Sequence, residues 1–203
     1  VWMSPDGVAQ ILDEDEFAAE AHEMSEVDRA SATGALTAAT ADLRERWRAH
    51  ALKDALAKLM ARGWRLSSAE SCTGGLLASV ITDLPGVSRV FMGGVVAYDN
   101  AVKLAALGVQ ESTLRAYGAV SETTALEMAR GARARHATEV GLSTTGIAGP
   151  DGGSPEKPVG LVYVGLSTPA GDAVERHVWP YDRIGNKHAT VDQALRMLTR
   201  ALQ

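Results

Sequence analysis

Ser71, Cys72 and Thr73 stand side by side in AESCTGG, followed at once by Gly74 and Gly75. A serine hydroxyl or a cysteine thiol at a strand-to-helix corner can act as a nucleophile, with free N–H groups nearby to hold an oxyanion. The competing reading is that Ser71 and Thr73 simply cap the helix that follows. A second stretch, AYDNAVK at residues 97–103, places Tyr98 and Lys103 five residues apart across a loop-to-helix transition. A lysine whose pKa is lowered by burial can take a serine proton, and a tyrosine can relay that proton or orient the lysine. From spacing alone, a surface lysine and a half-buried tyrosine are the better fit. A third stretch, TTGIAGPDGG at residues 144–153, is rich in glycine, so its backbone can approach a ligand closely; the alternative is a plain connection.

Other chemistries find little support. Cys72 is the only cysteine, which excludes an intramolecular disulfide and a cysteine-built zinc site and suits a reducing cytoplasm. The five histidines form no HExxH or similar metal pair. The glycine-rich corner is neither a Gly-Lys-Ser/Thr phosphate loop nor a Gly-x-Ser-x-Gly elbow. No cofactor or metal is expected. Cys72 is a rival nucleophile, with a pKa expected to drop at a helix N-terminus, although its side chain should point away from that of Ser71.

The elements that must position these residues read as α/β. Residues 40–63 carry Leu43, Trp47, Ala51, Leu52, Leu56 and Leu59 near helical spacing, with Thr40 or Asp42 to cap the start and Gly63 to end it. WRLSSAES reads as a strand, CTGGLLASVITDLPG as a helix stopped by Pro85-Gly86, and SRVFMGGVVAYDN as a strand. A short helix ends at Gly108, and another opens with Ser121 and Thr124. TEVGLSTTGIAGP is strand then loop. Two further strands are joined at Pro169-Ala170-Gly171 as a hairpin, so part of the sheet is antiparallel. GNKHATVDQALRMLTRALQ closes as a helix. Helices alternate with strands and cover a sheet.

Charge separates the chain into two parts. Residues 1–34 hold nine acids and one base, a charge of −8, whereas the remainder carries +3 within a total of −5. Residues 1–39 read as an acidic extension, partly helical or disordered, or as an arm that packs on a partner subunit; residues 40–203 read as the folded α/β body. No basic cluster suggests nucleic acid, and no apolar run reaches the length of a membrane span. A secretory signal is not recognisable. The expected partner is a small anionic molecule.

AESCTGG, YDNAVK, TTGIAGPDGG and KPVGLVYVG, in that order, resemble the C-terminal domain of the competence/damage-inducible protein CinA, whose stand-alone relatives are nicotinamide-nucleotide amidases. The resemblance covers about residues 45–202. It implies a three-layer α/β/α fold with a mixed sheet, and hydrolysis of the carboxamide of nicotinamide mononucleotide to nicotinate mononucleotide and ammonia. It implies no cofactor, and homo-oligomers are common in the family. By motif, Ser71, Tyr98 and Lys103 match the catalytic set. Thr145, Gly146, Ala148 and Gly149 match the substrate-lining segment, and Cys72, Thr73 and Gly74 flank the nucleophile. The family's late Gly-Asp-Arg and following arginine become YDRIGNK here: Asp182 and Arg183 match, Tyr181 stands for the glycine and Lys187 for the arginine. Arg183 is the candidate phosphate contact. The larger nucleotide-processing domain of full-length relatives is expected to be missing. A nucleotide-sensing module without catalysis, and an amidase for another small amide, are the alternative readings.

Overall fold

The computed structural model describes residues 26–203 and two short strands before them, with side chains described from Gly34 onward. The acidic stretch expected to form an arm lies largely outside the described residues. The chain divides into two compact units, 1–51 and 52–203. The first contains an antiparallel ribbon, β1 (Trp2–Met3) with β2 (Ala9–Gln10), and most of a long helix, α1 (Glu26–Arg62). The helix does not begin at the expected cap. Thr40 lies mid-helix and donates its hydroxyl back to the Leu36 carbonyl at 2.8 Å, while Asp42 pairs with Arg46 one turn on. The small residues of SATGALTAATA are therefore helical, alanine being the strongest helix former.

The second unit opens with the end of α1, where Leu52, Ala55 and Leu59 are buried. Gly63 stops the helix with positive φ, and the Trp64 amide bonds back to the Leu59 carbonyl. There follow β3 (Leu66–Glu70), α2 (Leu76–Thr82), a 3₁₀ turn (Val87–Arg89) and β4 (Phe91–Val96). Then come α3 (Asn100–Leu107), α4 (Glu111–Tyr117) and α5 (Glu122–His136). The chain closes with β5 (Val140–Gly146), β6 (Leu161–Thr168), β7 (Gly171–Val178) and α6 (Arg183–Ala201). Helix α4 is an addition to the sequence reading.

The five strands form one sheet in the order β4-β3-β5-β6-β7. β4, β3 and β5 run parallel, while β6 and β7 form the expected antiparallel hairpin. Strand β3, flanked by β4 and β5, is buried on both faces. One face packs on α5 through small residues: Ser143 donates to the Ala125 carbonyl, and a Cβ on Gly141 would lie 2.2 Å from the Ala129 carbonyl. Ala69 shares that face in a cluster with Leu107, Met128 and Ala132, which brings α3 against α5. The opposite face carries α2 and α6. The fold is three-layer α/β/α with a mixed sheet. Because β3, β4 and β5 are parallel, their carboxyl ends lie together. The Ser71 amide bonds to the Thr144 carbonyl at 2.9 Å and the Ala97 amide to the Glu70 carbonyl at 2.7 Å, tying the three exits side by side.

Candidate active site

The corner after β3 is built differently from the sequence expectation. The helix does not begin at Cys72. A turn over Ser71–Gly75 comes first, with φ of 63° at Gly74 and 97° at Gly75, and α2 starts only at Leu76. Both glycines sit where a side chain would be strained. Neither Ser71 nor Thr73 caps the helix. The cap is Glu70, a residue the sequence reading passed over. Its carboxylate accepts from the amides of Gly75 (3.0 Å), Leu77 (2.9 Å) and Ala78 (2.8 Å), and from the Thr73 hydroxyl (2.7 Å). The first-turn donors of α2 are thus already occupied. Among the described residues, no backbone acceptor is found for the amides of Cys72 and Thr73.

Tyr98 and Lys103 follow β4. Asp99 caps α3 by accepting the Ala101 amide at 2.7 Å, which starts the helix so that Lys103 lies one turn in. Lys103 is 1% exposed, and its Nζ donates to the carbonyls of Ala97 (2.8 Å) and Tyr98 (3.2 Å). Burial pulls its pKa below the ordinary lysine value, with the charges of Asp99 and Cys72 opposing. Tyr98, 63% exposed, meets the lysine only through its backbone; its hydroxyl accepts from Arg183 at 3.1 Å. Arg183 also donates to the Gly149 carbonyl at 2.7 Å. Asp182 caps α6 by accepting the Gly185 amide.

These pieces converge on a cleft of about 240 Å³ lined by Ser71, Cys72, Tyr98, Lys103, Thr145, Gly146, Ala148 and Arg183, with Asn100, Ala119 and Val120 closing it. The last three were not foreseen. Thr145 fixes Ala119 by donating to its carbonyl at 2.7 Å, and Lys157 Nζ holds the carbonyls of Tyr117 and Val120. Three expected residues do not line the cleft. Thr73 is fully buried, bonded to Glu70 and Thr144; Gly74 is a turn residue; Gly149 contributes through its carbonyl bond to Arg183. Lys187, one turn beyond Arg183, brings its Nζ to 3.8 Å from where a Gly74 Cβ would stand.

Cys72 departs from expectation in the opposite sense. Its thiol is buried and its pKa is pushed up to about 12, first by desolvation and further by the charge of Glu70. The expected lowering at a helix N-terminus fails because burial outweighs it and because the helix starts only at Leu76, with Glu70 on its first-turn amides. No cluster of three or more potential metal ligands occurs among the described residues.

Against known proteins, the model of the CinA C-terminal domain matches residues 49–202. The chain belongs to the CinA C-terminal domain family. A CinA-like protein of Kosmotoga olearia is 51% identical over 140 residues, which is 69% of this chain and 34% of that protein. The chain thus spans about a third of the length of its curated CinA relatives. Among solved structures, the competence/damage inducible protein CihA of Agrobacterium tumefaciens is 42% identical with a TM-score of 0.71, covering 76% of this chain and 94% of its own. A competence or damage-inducible protein of Enterobacter asburiae has a TM-score of 0.74 at 29% identity, covering 77% and 98%. The CinA-type fold is therefore shared across nearly the whole of those chains. No described helix is long and apolar enough to cross a membrane.

Proposed function

We propose that this CinA-family chain hydrolyses the carboxamide of nicotinamide mononucleotide, with Ser71 as nucleophile and Lys103 as base. The supporting observation is a buried lysine lining the same cleft as the serine, its amine held by two backbone carbonyls. Those carbonyls take two N–H bonds, so in the neutral amine the remaining lone pair is free to accept the Ser71 proton. The alkoxide oxygen bonds to the carboxamide carbon, and the carbonyl oxygen becomes an oxyanion. The amide of Cys72, which lines the cleft and has no backbone acceptor, is its donor; removing one such donor costs about 3–4 kcal/mol in other enzymes. The C–N bond breaks as Lys103 returns the proton, and ammonia leaves. Water then adds to the ester as Lys103 takes its proton. Collapse releases the carboxylate and restores Ser71.

Tyr98 has a different part from the one first expected. Its hydroxyl steadies Arg183, and Arg183 meets the substrate phosphate. With α2 capped by Glu70, Arg183 in the cleft wall is the cation that meets an anion. The apolar Ala119, Val120 and Ala148 suit the pyridine ring.

The test compares nicotinamide mononucleotide with nicotinamide riboside, which lacks the phosphate. Chromatography should show nicotinate mononucleotide as product, with kcat/KM for the riboside lower by about ten- to a hundredfold, the range of a lost charged hydrogen bond. Tight binding of the nucleotide without any product would contradict the amidase and favour a sensing module.

A further inference from the structure

Glu70 is the last residue of β3 and 1% exposed. Its side chain reaches three, five, seven and eight residues forward, to Thr73, Gly75, Leu77 and Ala78. Every residue between it and α2 belongs to the turn that carries Ser71. The strand end and the helix start are therefore joined twice, once by the chain and once by this carboxylate. Thr73 extends the tie to the neighbouring strand, since its hydroxyl also meets that of Thr144 on β5 at 2.7 Å. The Ser71 amide is held by the Thr144 carbonyl. Ser71 thus sits between two anchored points.

We infer that Glu70 is a positioning residue for the nucleophile: by gathering the donors of Thr73, Gly75, Leu77 and Ala78, it sets the turn that presents the Ser71 hydroxyl and leaves the Cys72 amide without a backbone acceptor. An amide at this position would turn an NH₂ group towards at least one N–H donor, where a carboxylate has only acceptors. The turn would shift to relieve that contact, and Ser71 would shift with it. Substrate binding by the far wall, Arg183 and Val120, would be spared. This inference rests on the amidase reading for its substrate, but not for its geometry.

The experiment uses the full chain as wild type, Glu70→Gln, Thr73→Val, Thr73→Ser and Ile81→Val. Ile81 lies buried in α2 away from the turn and controls for lost helix stability. Two readouts are taken: kcat and KM for nicotinamide mononucleotide, and the rate at which a fluorophosphonate labels Ser71. Glu70→Gln and Thr73→Val should lower kcat and the labelling rate by at least about tenfold with KM nearly unchanged, as displacement of a reacting group does. Thr73→Ser should restore both, and Ile81→Val should keep both. Unchanged kcat and labelling in folded Glu70→Gln and Thr73→Val would overturn the inference, as would an equal loss in Ile81→Val. If Glu70→Gln does not fold, the Thr73→Val and Thr73→Ser pair decides. If wild type is labelled but releases no ammonia, the amidase reading fails and the labelling rates still decide the role of Glu70. A wild type that neither labels at Ser71 nor turns over overturns both.

Discussion

At the scale of single residues, the chemistry depends on where charge is disfavoured. Lys103 is the clearest case, because burial holds its pKa below the ordinary lysine value. A base acts when neutral, so kcat/KM should rise with pH through this lowered value and level off before an ordinary lysine, near pH 10.4, would titrate. A pH–rate profile checks this, and Lys103→Arg should lack the rising limb because an arginine stays protonated. Linkage gives stability the same sign. Between the lowered folded value and the ordinary unfolded one, the unfolded chain holds a proton that the folded chain does not. The contribution is therefore present above the unfolded value and lost as pH falls through the folded one. Cys72 shows the reverse: a thiol pushed up to about 12 is a poor rival for Ser71.

At the scale of elements, close packing between α5 and the sheet carries the parallel strands that end at the cleft. Gly165 on β6 illustrates the tolerance. A Cβ there would lie 2.4 Å from Ser143 Oγ, which can turn away only by giving up its bond to Ala125, and 2.7 Å from the Ala125 carbonyl, which cannot retreat without moving α5. Gly165→Ala should cost about 1–3 kcal/mol, the usual range for overpacking. Denaturant titration would show it as a lower midpoint with the slope unchanged. Periodicity and punctuation made most of these elements legible: the strands of the hairpin, Ser121 as the cap of α5 and Gly108 as the end of α3 stand where their residue types place them. The start of α2 was not legible. Local spacing reads Cys72–Leu77 as helix, and only the reach of Glu70 back over the turn reveals that Gly74 and Gly75 belong to a loop. Thr40 failed as a cap for the converse reason, since alanine-rich chain before it continues the helix.

At the scale of the whole molecule, three segments distant in sequence meet because a parallel β4-β3-β5 triplet ends on one side. Ser71, Lys103 and Thr145 were legible as candidates from their motifs, and the sheet brings them to one cleft. Ala119 and Val120 were not legible, because their place depends on long-range ties from Thr145 and Lys157 rather than on local pattern. Membership of the CinA family agrees with this frame, and the amidase reading adds a reaction to it. The most direct test of that reading is ammonia release from nicotinamide mononucleotide, measured with a chelator present, for wild type and Ser71→Ala. The account predicts turnover by wild type that vanishes in Ser71→Ala while nucleotide binding persists. Full turnover by Ser71→Ala, or none by wild type, would contradict it.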